Sequence, residues 1–223
     1  FRLAEVRRFI HQTYSSHCHT MRTWRLIPVA ALLWACTSED ASDLIVDVKT
    51  DLRPGLEFSS MRTTLVGVQT AGDAEVTVWA AQGQDQRYLA GHRAADFTGI
   101  KGEQASVRVA LLAGDGTPVL ERTVRVQLTG SQVITVLLTR DCRGVQCPAA
   151  GADPQLRACV AGTCVAEECV PEQSGSCEPG CTTDEQCPAA SSCAVGRCID
   201  HYCFQEAIDT TCGSAMWCAP DLG

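Results

Sequence analysis

Histidine is scarce in this chain of 223 residues, and after Cys36 only His92 and His201 remain. The nucleophile elbow Gly-x-Ser-x-Gly, the metalloprotease motif His-Glu-x-x-His, the phosphate-binding P-loop and the dinucleotide fingerprint Gly-x-Gly-x-x-Gly are all missing. The chain is therefore expected not to be an enzyme. His92, in Ala90-Gly91-His92-Arg93 with Asp96 nearby, is the best-placed base and is expected to be an ordinary loop histidine. No Cys-x2-Cys pair occurs anywhere, and His201 is the only histidine beyond residue 141. Tetrahedral zinc sites draw on such close-spaced ligand pairs, so no metal and no cofactor is expected. The alternating Asp/Asn/Gly spacing of hard-cation loops is absent as well. An apolar run of membrane-spanning length is also lacking: Leu26–Ala35 counts ten residues, against the roughly 20 that a transmembrane helix needs.

That short run has informative flanks. Met21, Arg22 and Arg25 precede it and Leu33-Trp34-Ala35-Cys36 closes it, and its length falls inside the roughly 7–15 residues of a signal-peptide apolar region. The arrangement resembles the signal peptide and lipobox of bacterial lipoproteins, in which the cysteine thiol is acylated and becomes the new N-terminus. Leu33 and Ala35 match the pattern, whereas Trp34 is bulkier than the usual small residue and Pro28 interrupts the run. Cys36 is the expected site of lipid attachment. One acyl chain holds a protein only marginally at about 0.8 kcal/mol per buried methylene, so firm anchoring at Cys36 requires multiple acylation. Thr37, standing where some bacteria use aspartate for inner-membrane retention, points to the outer membrane. Residues 1–20 read as an upstream or mis-started segment, since the chain opens on Phe1. Arg7-Arg8 has no apolar stretch directly after it, and His17-Cys18-His19 would be removed with the leader.

Residues 1–35 hold five Arg and one Glu, so their removal takes the formal charge from −8 to −12. From Cys142 onward there are three Arg, no Lys and eleven acidic residues. Such a balance repels a phosphate backbone and excludes nucleic acid as a partner.

Composition changes sharply near residue 141. After a linker at 36–42, residues 43–141 read as short strands. Leu44, Val46 and Val48 alternate with Ile45, Asp47 and Lys49; Thr63–Val68 and Val76–Ala80 are β-branched; and Ser106–Leu112 alternates again. Gly114-Asp115-Gly116-Thr117 between two alternating runs predicts a hairpin, and Gln132–Thr139 predicts a last strand. No convincing helical period appears. The fold class expected is mainly β, an immunoglobulin-like or prealbumin-like β-sandwich of about seven strands, followed by a small disulfide-rich, loop-dominated region. The Cys…Trp…Cys spacing of immunoglobulin domains is absent. Trp79 is expected in the core.

Residues 142–223 carry 13 cysteines in 82 residues, a density that marks a disulfide scaffold in an oxidising compartment. The candidates are Cys142, Cys147, Cys159, Cys164, Cys169, Cys177, Cys181, Cys187, Cys193, Cys198, Cys203, Cys212 and Cys218. Ala158–Cys169 aligns without gaps to Ser192–Cys203, both Cys-x4-Cys-x4-Cys with glycine three residues after the first cysteine. Each is preceded by a further pair, Cys142/Cys147 and Cys181/Cys187. The repeats expected are thus five-cysteine units at 142–169 and 181–203, with Cys212 and Cys218 opening an incomplete third at 212–223, truncated after Gly223. Cys177 stands outside the repeat, and spacing leaves the connectivity open. Bridges are needed because the region has only Tyr202, Phe204 and Trp217 as aromatics and cannot build a large core.

The lipobox, the β-rich domain and the Cys-x4-Cys and Gly-x-Cys repeats together resemble the cysteine-rich surface lipoproteins of bacteria, across residues 21–223. That resemblance implies a lipid-anchored extracytoplasmic protein of the cell envelope, with a non-catalytic binding or structural role toward an extracellular protein or glycan. The alternative is a disulfide-rich inhibitor or ligand-binding module acting on an extracellular protease or other protein, because Cys181–Cys203 is similar in cysteine order to Dickkopf-type and trypsin-inhibitor-like modules.

Overall fold

A computed structural model describes residues 41–80, 87–173, 177, 180–213 and 216–221. The expected leader at 21–35, with Leu33, Trp34 and Ala35, and the expected lipid-attachment residue Cys36 lie outside the described residues, as do residues 1–20.

Seven strands form the first part: β1 (Ser42–Thr50), β2 (Ser60–Val66), β3 (Glu75–Trp79), β4 (Tyr88–Ile100), β5 (Gln104–Leu112), β6 (Pro118–Gln127) and β7 (Gln132–Leu138). They make a three-stranded sheet in the order β4-β1-β7 and a four-stranded sheet in the order β3-β2-β5-β6. β1 runs antiparallel to β4 and parallel to β7, and every pair in the second sheet is antiparallel. The immunoglobulin arrangement places its first, second, fifth and fourth strands together; here the first, fourth and seventh share a sheet instead.

Alternation sets which side chains meet. Leu44, Val46 and Val48 of β1, Phe97 of β4 and Ile134 and Val136 of β7 face Met61 and Leu65 of β2, Val107, Val109 and Leu111 of β5 and Val124 and Val126 of β6 in one core. The β5–β6 turn forms where expected: Gly116 takes φ 82°, and Asp115 Oδ1 accepts from the Thr117 N–H at 2.9 Å. Trp79 is 75 % exposed, contrary to the expectation of a core residue. In β3 it is Val76 and Val78 that pack on the core, and a period of two sends their neighbour Trp79 to the other face. β4, the longest strand, has no clear alternation in its sequence, because three register shifts against β1 break the period.

The cysteine-rich region is laced onto this sandwich. Residues 167–172 run along the free edges of β6 and β7. The Arg125 N–H donates to Glu167 O at 2.8 Å and the Thr135 N–H to Glu172 Oε2 at 3.0 Å, while Val170 is buried in the sandwich core. The Arg125 guanidinium pairs with Glu167 at 2.7 Å and Glu168 at 2.8 Å. Beneath this strap lies Arg122, fully enclosed, which donates to Leu137 O at 3.1 Å and to Cys169 O. Among the described residues no carboxylate pairs with it, and burial lowers its pKa to about 10.

A second seam joins the exits of β1 and β7 to the C-terminal segment. Arg140 is bidentate on Glu57, at 2.6 and 2.7 Å, and reaches Asp221 at 2.8 Å. Arg53, 1 % exposed, pairs with Asp209 at 2.6 Å and lies over the Trp217 ring at 5.6 Å. Removing one partner of such a buried pair strands the other, so these contacts fix the docking geometry more than they add net stability. The described residues belong to one compact unit.

Candidate functional site

Six disulfides join Cys142–Cys159, Cys147–Cys164, Cys169–Cys177, Cys181–Cys198, Cys187–Cys203 and Cys193–Cys218, and Cys212 is a free thiol. Two hairpins organise them: β8 (Ala158–Val160) with β9 (Thr163–Val165), and β10 (Ala194–Ile199) with β11 (Tyr202–Ala207). Cys159 stands opposite Cys164 in the first and Cys198 opposite Cys203 in the second. Directly opposed residues project from the same face of a hairpin, and both cysteines reach back to the preceding pair, with separations of 17 and 17 in the first module and 17 and 16 in the second.

The repeating unit is therefore four cysteines paired first to third and second to fourth, not the five-cysteine unit expected. The gapless alignment was displaced by one Cys-x4 step, because it matched two glycines that serve different purposes. Gly162, at φ 74°, closes the first hairpin with Ala161 at φ 47°. Asp200 and His201, at φ 49° and 69°, occupy the same turn positions in the second hairpin. Both central residues of a two-residue type I′ turn need positive φ, and since the chain contains no asparagine the second turn uses Asp-His, with Asp200 held by Lys49 Nζ at 2.7 Å. Gly196 instead sits inside β10, where a Cβ would overlap the Cys187 carbonyl. Cys212 and Cys218 do not open a third unit: Cys218 closes on Cys193, and Cys177 takes Cys169.

Between the first hairpin and the start of β11 lies an open cleft of about 690 Å³, lined by Leu156, Val160, Thr163, Val165, Tyr202 and Cys203 among others. Its floor belongs to a small second core of Leu137, Val160, Cys169, Tyr202 and Phe204. The Tyr202 hydroxyl lies 3.1 Å from Cys169 Sγ, and burial raises its pKa. A volume in this range suits a small ligand or a few residues of an extended partner.

The sulfurs of Cys181, Cys187 and Cys203 lie within 4.8 Å of one another, but all three are in bridges and offer no thiolate to a metal. His92 lies within β4 rather than in a loop and stacks on Tyr88 at 4.0 Å. Burial lowers its pKa. Asp47 and Asp96, the carboxylates that could orient it, both accept from Arg93, at 2.7 and 2.8 Å.

The residues that sequence reasoning passed over are the charged ones of the two seams. One carried a signal: Leu120, Arg122, Val124 and Val126 share the inward parity of β6, so a cation on that face was legible as buried. Compared with family models, curated proteins and solved structures, the chain matches none.

Proposed function

We propose that this protein is a lipid-anchored bacterial lipoprotein of the cell envelope, extracytoplasmic and held through Cys36 in the outer membrane, with a non-catalytic binding or structural role. The observation that supports the reading is the set of six disulfides. Bridges at this density persist in oxidising compartments, where the export signal ending at Leu33-Trp34-Ala35-Cys36 would deliver the chain. The concave surface beside Tyr202 and Val160 is the binding face of this reading, and its partner is an extracellular protein or glycan.

The test is palmitate labelling and intact mass of the protein from a bacterial envelope, beside a Cys36→Ala variant. Label on the wild type alone, with a mature mass beginning at Cys36, is the expected result. An unlabelled chain that retains residues 1–35 overturns the anchor. Stoichiometric inhibition of any protease in a broad panel would replace the binding role with that of an inhibitor.

A further inference from the structure

We propose that the cleft beside Tyr202 is a strand slot: it takes an extended segment of a partner protein, which pairs by its main chain with the outer edge of β9 and carries apolar side chains two residues apart between basic flanks. This occupant presupposes the binding role proposed above and narrows its partner to a polypeptide.

The two-residue turns decide which backbone groups look outward. Val160 and Thr163 flank the first turn, and Ile199 and Tyr202 the second, so each of these pairs exchanges its N–H···O bonds across its hairpin. The next pairs out, Cys159 with Cys164 and Cys198 with Cys203, turn their N–H and C=O groups away from it. Elsewhere in the second module such outward amides are satisfied: the Cys198 N–H donates to Asp184 Oδ1 at 2.8 Å and the Gln205 N–H to Asp51 Oδ2 at 3.0 Å. The outward amides of Cys164 and Cys203 have no partner among the described residues, and both residues line the cleft. β9 pairs with β8 alone, so its other edge stands open where Thr163, Cys164, Val165 and Ala166 line the cleft. An outward N–H and C=O on one strand residue are met together by the C=O and N–H of a facing residue in a second strand.

The floor of the cleft sets the side chains. Cys164 is turned to Cys147 in its bridge, so Thr163 and Val165 project to the opposite face, where Val165 packs on the small core of Val160, Tyr202 and Phe204. A residue facing Cys164 therefore sends its side chain away from that core, and its two neighbours send theirs onto it. None of the described residues that line the cleft is charged, which suits apolar neighbours. Residues 142–223 carry three Arg, no Lys and eleven acidic residues, and this balance favours Lys or Arg on either side of the apolar pair.

The experiment titrates the disulfide-intact chain with the acetylated, amidated heptapeptide Lys-Thr-Val-Thr-Val-Thr-Lys and follows the backbone amides by nitrogen–proton NMR. Saturable shifts centred on Cys164 and Cys203, with a dissociation constant below about 1 mM, are expected. N-methylation of the central threonine removes the donor that faces the Cys164 carbonyl and should weaken binding about tenfold, the worth of one hydrogen bond. Exchanging both lysines for glutamate should weaken it about threefold. No shift at Cys164 at about 5 mM peptide, or a titration unmoved by N-methylation, overturns the proposal. So do shifts there produced by chitohexaose in place of the peptide, or by concentrating the chain alone, which would make a glycan or a second copy the occupant. The palmitate label at Cys36 reads independently of these results, so a labelled chain with a silent cleft refutes the strand slot and leaves the anchor standing.

Discussion

Replacing Cys147 and Cys164 together by alanine removes one bridge of the first module and leaves Cys142–Cys159 in place. Cross-linking residues 17 apart restricts the unfolded chain by about 3 kcal/mol on the loop-entropy scale. Interlacing lowers this a little, because the surviving bridge already holds Cys147 and Cys164 within a shorter path: five residues back to Cys142, across to Cys159 and five forward. The effective loop of roughly a dozen residues gives a loss slightly under 3 kcal/mol. The equivalent change in the second module, Cys187 and Cys203, spans a separation of 16 and should cost the same within about 1 kcal/mol. Equilibrium urea unfolding under non-reducing conditions measures both losses, and peptide mapping verifies that the neighbouring bridges remain. A loss below about 1 kcal/mol in either module, or peptide mapping that finds the altered module's two remaining cysteines in any bridge other than Cys142–Cys159 or Cys181–Cys198, would refute the first-to-third, second-to-fourth pairing.

Two further outcomes probe single positions. Gly196→Ala should destabilise by about 2–3 kcal/mol, since the new methyl meets backbone rather than a yielding side chain; Gly72→Ala, with open space around it and no left-handed φ, should stay within about 0.5 kcal/mol in the same thermal-unfolding comparison. Arg122→Met sets two effects against each other: two buried carbonyls lose their donor at about 1–3 kcal/mol each, while removing a cation whose pKa falls from 12.5 to about 10 relieves about 3 kcal/mol. A net loss within about 2 kcal/mol is expected, and a loss above about 4 would show that the buried cation is indispensable to the strap.

Most of the sandwich was legible because its strands keep the period of two. β1, β5 and β6 alternate visibly, and the Asp115-Gly116 turn announces its hairpin. β4 was not legible: its bulges against β1 erase the alternation, and such bulges answer to the partner strand rather than to local sequence. Trp79 was misplaced by bulk, although the parity it shares with exposed Glu75 and Thr77 gave the right face. In the cysteine-rich region spacing marked the hairpins, but a glycine needed for φ and a glycine needed for close approach look alike in one dimension. The contacts of Asp51 were invisible for a different reason. Asp51, Arg140 and Gln205 are far apart along the chain, and only the docked fold brings them within hydrogen-bond distance.

The strap at residues 167–172 has a consequence for biogenesis. The sandwich precedes it in the chain, so β6 and β7 complete their own sheets while their outer edges still carry unpaired N–H groups at Arg125 and Thr135. Bare edges recruit other strands, and here the cover is fastened next to Cys169 and Cys177. Oxidation thus acts as the step that makes the β-domain safe to be near copies of itself. A chain produced where thiols stay reduced should collect in edge-paired aggregates even though residues 42–141, which supply all seven strands of the sandwich, contain no cysteine.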